Sequence, residues 1–162
     1  EETGTLHGLE VRRVVSALEM YDAVMEESDW ASCVVKAAAV GDYRARDRSP
    51  RKIKREGRET VSIELEQNPD IAAEVGRRKR PGQVLIGFAA ETDDLLKNAR
   101  AKMERKGLDL IVANDVLAPG CGFGADTNTV RVLSRDEETV LSGSKEEVAD
   151  GVWDLVAGRG LF

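Results

Sequence analysis

Between Arg44 and Arg58 the chain carries Arg44, Arg46, Arg48, Arg51, Lys52, Lys54, Arg55 and Arg58 against only Asp47 and Glu56. The formal net charge of the whole chain is −6, so this is a local basic concentration on an acidic protein. Such a field suits one bound anion better than a nucleic acid, whose binding relies on positive charge spread over a face. Immediately before it, the stretch Ala37-Ala38-Ala39-Val40-Gly41-Asp42 ends an apolar run in a glycine and a carboxylate. Further on, Lys102 and Lys106 stand one helical turn apart and project from the same face.

Other chemistries lack their parts. His7 is the single histidine, and Cys33 and Cys121 are the two cysteines, too few for a zinc cluster or for Ser-His-Asp catalysis. His7 reads as a surface residue, and the two thiols are expected to stay reduced. The run Arg77-Arg78-Lys79-Arg80 reads as a solvated helix end that compensates the helix dipole.

The elements that must position these groups follow from periodicity and punctuation. Leu9 to Val15 reads as a strand, and Ser16 with Glu19 forms a capping box that opens a helix to about Glu27. Ala31 to Val40 reads as a strand buried on both faces of a parallel sheet. Lys52 to Arg55 and Thr60 to Glu66 alternate around Glu56-Gly57 and predict a β-hairpin. Asn68-Pro69-Asp70 predicts a helix start capped by Asn68, ending by Arg78. Gln83 to Phe88 is a buried strand, Thr92 to Lys106 a helix stopped by Gly107, and Asp109 to Ala113 a further strand. Ala118 to Asn128 is glycine-rich and must be a loop, in which Asn114-Asp115 just upstream also takes part. Thr129 to Leu133 and Thr139 to Leu141 read as late antiparallel strands. Ser144 with Glu147 then caps a helix to about Ala157.

Strands alternating with helices predict a three-layer α/β/α Rossmann-like sandwich, with a mostly parallel sheet and a β-hairpin extension, as a single domain over residues 1–162. Ligands of such sheets sit beyond the carboxyl ends of the strands. Three strand ends carry polar or aromatic groups: Ala37-Ala38-Ala39 with Asp42, Phe88 with Glu91-Thr92, and Asn114-Asp115. No apolar run approaches the roughly 18 residues of a membrane span, and no leader is legible at the start, so a cytoplasmic protein is expected. No G-x-G-x-x-G follows a strand, which disfavours an NAD-dependent oxidoreductase.

Several stretches together resemble a known family: AAAVGDYR (Ala37 to Arg44), KIKR (Lys52 to Arg55), QNPDI (Gln67 to Ile71), GFAAET (Gly87 to Thr92), ARAKMERKGLDLIVANDV (Ala99 to Val116) and GFGADTN (Gly122 to Asn128). They are similar to bacterial phosphopantothenate-cysteine ligase, the synthetase half of the bifunctional coenzyme A biosynthesis flavoprotein. The resemblance implies ligation of 4'-phosphopantothenate to L-cysteine, driven by CTP with magnesium through an acyl-cytidylate, by a homodimer that in the full protein is fused to a flavin-dependent decarboxylase.

By the same resemblance Ala37 and Ala38 offer backbone groups to the nucleotide and Asp42 a carboxylate. Lys52 is the catalytic lysine, balancing charge on phosphates or on the acyl-cytidylate. Pro69, Asp70, Ile71, Ala72, Phe88, Lys102 and Lys106 complete the nucleotide contacts, and no residue is assigned to a resident metal. Asp42, Lys52, Phe88 and Lys102 are expected to share one pocket. Glu1 to Leu9 does not resemble the family's opening strand and glycine-rich turn, so the resemblance implies an N-terminally truncated ligase domain to which FMN is not assigned. The alternative is a non-catalytic nucleotide-binding or dimerisation fragment of the same enzyme.

Overall fold

The computed structural model describes residues 8–54, 57, 59–91, 94–115 and 127–158. Its centre is a five-stranded sheet in the order β1-β4-β5-β6-β7. The strands are β1 (Cys33–Lys36), β4 (Val84–Glu91), β5 (Leu110–Asp115), β6 (Thr127–Leu133) and β7 (Glu138–Ser144). β1, β4 and β5 run parallel to one another, β6 is antiparallel to β5, and β7 is antiparallel to β6. Four of the five strands therefore point the same way, and β6 alone is reversed. A separate antiparallel pair, β2 (Tyr43–Ala45) with β3 (Leu65–Gln67), forms the hairpin extension.

Side-chain alternation along the central strands fills both faces. Leu85, Ile111, Ala113 and Leu133 pack beneath α1 (Ala17–Ser28), α2 (Ile71–Arg78) and α3 (Leu95–Lys106), through Met25, Ile71, Val75, Ala99 and Met103. Val84, Ile86, Leu110, Val112, Val130 and Val132 pack against α4 (Lys145–Gly158) through Val148, Val152 and Val156. Each such Val, Leu, Ile or Met side chain contributes about 1.5–3 kcal/mol when fully buried, against about 0–1 kcal/mol for an exposed ion pair. The two apolar faces therefore hold the three layers together, and the surface charges are left to other work.

Both serine caps form, and the second closes the full capping box. Ser16 accepts from the Glu19 amide at 3.2 Å, while the Glu19 carboxylate accepts from the Val15 amide at 2.8 Å. Ser144 and Glu147 bond reciprocally: Ser144 Oγ accepts from the Glu147 amide at 3.1 Å, and the Glu147 carboxylate accepts from the Ser144 amide at 2.7 Å. Gly107 ends α3 at φ 64°, a left-handed conformation that glycine adopts without steric cost.

Five expectations are corrected. Residues 9–15 form no strand, because no described strand lies beside them to complete a ladder; Arg12 instead ties the segment to Glu26 of α1 at 2.6 Å. β1 is only Cys33–Lys36 and only half-buried, as one of the two edge strands among the described residues. The hairpin pairs Tyr43–Ala45, not Lys52 to Arg55, with the 65–67 strand, leaving residues 46–64 as a long connection. α2 is capped by Asp70, whose carboxylate accepts from the Ala73 amide at 3.2 Å, because the Asn68 carboxamide is engaged elsewhere. Asn114 and Asp115 belong to β5, and Thr127 and Asn128 to β6, so the predicted loop loses its last two positions; residues 116–126 lie outside the described residues.

Candidate functional site

The carboxyl end of β1 runs into an irregular turn, 37–42, that is stitched to the lead-in of α2. The Asn68 amide donates to the Asp42 carbonyl at 2.8 Å, and its side-chain Nδ2 donates to the Gly41 carbonyl at 2.8 Å. Arg44 clamps the same corner, donating to the Gln67 carbonyl at 2.8 Å and to Asn68 Oδ1 at 3.1 Å, and pairing with Glu66 at 2.7 Å. Arg46 pairs with Glu64 at 2.9 Å. These two arginines of the basic run are thus structural, holding the hairpin against the strand end.

A small cavity of about 60 Å³ opens at this corner, lined by Lys36, Asp42, Pro69, Asp70 and Ile71 among others. A neighbouring cavity of about 100 Å³ is lined by Lys36, Ala37, Ala38, Ile71 and Ala72, with Val75 and Leu85 at its base. Two lysines reach the area from α3. Lys106 Nζ pairs with Asp70 at 2.9 Å, and Lys102 Nζ donates to the Phe88 carbonyl at 3.1 Å. Close packing makes this reach possible: a Cβ on Gly76 of α2 would stand 2.0 Å from the Lys106 carbonyl oxygen. Only glycine lets the two helices approach so near.

The electrostatics follow from this crowding. Burial raises the Asp70 carboxyl, but the hydrogen bonds from Lys106 and from the Ala73 amide outweigh it, so its pKa lies below the ordinary value. Lys36 ends β1 on the same face of the sheet as Val34, towards the helices. Burial, followed by repulsion from Lys106 and Lys102, lowers its pKa, with Asp70 and Asp42 opposing.

Of the residues predicted from the sequence, the structure brings Ala37, Ala38, Asp42, Pro69, Asp70, Ile71 and Ala72 around the two cavities, with Lys106 bonded to Asp70. Phe88 lies within β4, 38% exposed, with its side chain on the Val84 and Ile86 face, opposite Val34 and Lys36, and only its carbonyl meets Lys102. Asp42, Lys52, Phe88 and Lys102 therefore do not share one of these cavities, contrary to expectation. Lys52 lines neither: it lies exposed in the 46–64 connection, and no hydrogen bond or ion pair joins it to a described residue. Arg55 and Arg58, with Thr92, lie outside the described residues.

Lys36 escapes sequence reasoning, whereas Asn114 is legible there only as a strand-end and loop residue. Lys36 sits in an apolar run where a lysine breaks the pattern, which is the one local signal it offers. Asn114, at the carboxyl end of β5, holds a buried Oδ1 that lacks a hydrogen-bond partner, unlike any other buried side-chain oxygen or nitrogen among the described residues.

The Arg77-to-Arg80 run divides: Arg77 and Arg78 are the exposed basic end of α2, as expected, whereas Lys79 and Arg80 are a correction. Arg77 and Arg78 pair with Glu74 at 2.6 and 2.7 Å, while Lys79 grips Asp109 at 2.6 Å and Arg80 donates to the Ala31 carbonyl at 3.2 Å. Asp109 in turn accepts from the Leu85 amide at 2.7 Å, so Lys79 and Arg80 fasten the amino ends of the strands, opposite the cavities. Cys33 is a free, half-buried thiol whose pKa is raised by burial.

Among the described residues no group of three or more His, Cys, Asp or Glu side chains gathers as metal ligands, and no helix is long and apolar enough to cross a membrane.

Comparison with known proteins bears on the same chain. Residues 2–159 match the family described as DFP, the DNA/pantothenate metabolism flavoprotein C-terminal domain. The coenzyme A biosynthesis bifunctional protein CoaBC of Bacillus subtilis (strain 168) is 45% identical over 123 residues, covering 76% of this chain and 30% of that protein. A cysteine/cysteine sulfinic acid decarboxylase from an unknown prokaryotic organism is 44% identical over 122 residues, covering 75% of this chain and 34% of its own length. The chain thus spans about a third of the curated relatives it matches. The crystal structure of the C-terminal domain of coenzyme A biosynthesis bifunctional protein CoaBC superposes with a TM-score of 0.69 at 33% identity, covering 88% of this chain and 62% of that one.

Proposed function

The chain belongs to the DNA/pantothenate metabolism flavoprotein C-terminal domain family, and from that premise we propose that it is a phosphopantothenate-cysteine ligase domain that uses CTP. The observation that carries this reading is the arrival of Lys102 and Lys106 from α3 at the Phe88 carbonyl and the Asp70 carboxylate, beside the Asp42 turn. Positive side chains meeting at the carboxyl edge of a wound sheet are what a triphosphate requires.

In this reading Ala37 and Ala38 present backbone groups to the cytidine, and Asp42 accepts from it. Pro69 to Ala72 form the wall beneath, and Phe88 contributes its backbone carbonyl, which holds Lys102 near the site. Lys102 and Lys106 neutralise phosphate charge. The carboxylate of 4'-phosphopantothenate attacks the α-phosphorus of CTP, and pyrophosphate leaves with the electron pair of the broken P–O bond. The amine of L-cysteine then attacks the acyl carbon of the acyl-cytidylate; CMP departs and the amine proton is lost to solvent, leaving 4'-phosphopantothenoylcysteine. Lys52, on the exposed connection, acts when that segment meets the bound phosphates, where a charge-assisted hydrogen bond is worth about 1.5–3 kcal/mol. Magnesium enters with the nucleotide, held mainly by its phosphate oxygens, as is usual for this ion.

Calorimetric titration with CTP, ATP, GTP and UTP, followed by mass spectrometry of mixtures containing 4'-phosphopantothenate and cysteine, tests the reading. The expected result is preference for CTP and a new amide product. Equal affinity for all four nucleotides, with no amide formed, would reject it.

A second reading, a non-catalytic assembly module, has one observation in its favour: Tyr43, Ile63 and Leu65 of the hairpin region expose apolar side chains. Sedimentation alongside the titration separates the two, since an assembly module associates yet ignores every nucleotide.

A further inference from the structure

Asn68 holds the turn at the end of β1 by two bonds. Its main-chain amide donates to the Asp42 carbonyl at 2.8 Å, and its Nδ2 donates to the Gly41 carbonyl at 2.8 Å. Those carbonyls belong to the two peptide groups that flank the Asp42 Cα. Each group is planar, so holding both planes sets φ and ψ of Asp42, and with them the direction in which its side chain leaves the backbone. Two neighbours free Asn68 for this task. A residue before proline is kept extended, so Pro69 leaves the Asn68 amide outside α2, and Asp70 takes over the helix cap.

The Asn68 carboxamide can be seated only one way round. Arg44 offers donors alone and a carbonyl accepts alone, so the bond from Arg44 Nη1 to Oδ1 at 3.1 Å turns Nδ2 towards Gly41. Arg44 is itself fixed by the Gln67 carbonyl at 2.8 Å and by Glu66 at 2.7 Å. Asn68 is only 9% exposed, and a buried polar network whose members are bonded specifies a single arrangement. A chain of bonds therefore runs from Glu66 of the hairpin through Arg44 and Asn68 to the turn.

We propose that Asn68 is a positioning residue of this site: with its carboxamide set by Arg44, it aims Asp42 at a nucleoside bound beyond the end of β1. The nucleoside rests on the function proposed above, in which Asp42 accepts from the cytidine. The orientation of Asp42 rests on the hydrogen bonds alone.

The test compares the wild-type chain with Asn68→Ala, Arg44→Met and the double variant by calorimetry against CTP, CMP and inorganic pyrophosphate, and records the carbonyl carbon resonance of Gly41 by NMR without ligand. Each single variant is expected to weaken CTP and CMP by about threefold to tenfold, the scale of one hydrogen bond. Pyrophosphate binding should stay as it was, because Asp42 meets the nucleoside. The double variant should bind no more weakly than Asn68→Ala, since Arg44 acts through the carboxamide. The Gly41 resonance should move in Arg44→Met as it does in Asn68→Ala, although no hydrogen bond joins Arg44 to Gly41. Asn68→Asp keeps a partner for Arg44 and loses the Nδ2 donor; it should lose affinity as Asn68→Ala does, and it replaces that variant if alanine unfolds the chain. Unchanged affinity in the Asn68 variants overturns the proposal, and so do losses that add in the double variant or extend equally to pyrophosphate. A wild-type chain that binds CTP no better than other nucleotides, or binds none, overturns the CTP reading. The Asn68 assignment then follows the Gly41 resonance: movement in both single variants upholds it, and a resonance that stays put in Arg44→Met overturns it.

Discussion

Charge at single residues divides here into pairs that hold the fold and cations that have work left over. Arg44 and Arg46 belong to the first kind, each bonded to a glutamate across the hairpin. Lys52 belongs to the second: it is exposed, so its side chain adds little packing. Lys52→Ala is therefore expected to cut amide formation by about tenfold to a hundredfold, the loss of one charge-assisted hydrogen bond, while the melting temperature stays put. Wild-type rates, or a clear drop in melting temperature, would contradict its assignment. Asp70 is of both kinds. Its folded pKa lies below the ordinary 3.8 because Lys106 and the Ala73 amide favour the ionised form. Its contribution is thus fully present above pH 3.8 and fades as the pH falls through the lowered value. Asp70→Asn keeps the cap on Ala73 but leaves Lys106, with a side chain only 15% exposed, short of a counter-charge. The variant should unfold at lower urea concentration at pH 7, by about 1 kcal/mol after solvent screening, and the gap from wild type should narrow in acid below pH 3.8. A gap of the same size at every pH would show that the pairing with Lys106 is not what Asp70 contributes.

Elements acquire their meaning for the site through two helix contacts of opposite consequence. Gly76 meets the carbonyl of Lys106, and this approach sets how far α3 can carry Lys102 and Lys106 towards the strand ends. Gly76→Ala should cost roughly 1–3 kcal/mol from overpacking against backbone and should weaken phosphate binding as well, because α3 must move. Ser144→Ala removes the cap of α4 on the opposite face, at about 1 kcal/mol, and should leave phosphate binding intact. Thermal melts paired with titrations check this contrast; equal effects of the two variants on binding would mean that the site does not depend on the α2–α3 contact. The same elements show what can be read without coordinates. β4, β5 and α3 were legible because buried runs, a proline-glycine break and a helix-ending glycine are local signals. The cap of α2 was misread because Asn68 and Asp70 are both good caps, and only the tertiary bonds from Asn68 to Gly41 and Arg44 decide between them. The hairpin was misplaced for a similar reason: alternation in 52–55 resembles a strand, but Tyr43–Ala45 is the segment that finds a partner. Lys36 could not be found from its neighbours in sequence, since the lysines and carboxylates around it arrive from positions 42, 70, 102 and 106.

At the scale of the whole molecule, the hairpin extension is the part whose composition is unbalanced. Register pairs Tyr43 with Gln67 and Ala45 with Leu65, so these four share one face, while Arg44, Arg46, Glu64 and Glu66 form ion pairs on the other. Tyr43 and Leu65 are 62% and 58% exposed, and Ile63, which continues the alternation, is 66% exposed. A two-stranded ribbon is marginal in water by itself, and an apolar face left open on it favours covering by another surface. A homodimer, which the resemblance to the ligase family implies, would supply that cover with the ribbon of one protomer against its partner. The connection bearing Lys52 springs from the same ribbon, so association and phosphate binding are expected to be linked. Replacing Ile63 and Leu65 together by lysine should convert a sedimenting dimer to monomer without loss of the central fold, whose core lies in the five-stranded sheet and its helices. The melting temperature of the sheet domain should hold, whereas affinity for CTP should fall with the dimer. A double variant that still sediments as a dimer would place the interface elsewhere, and a monomer that binds CTP as tightly as wild type would show that each protomer completes its own pocket.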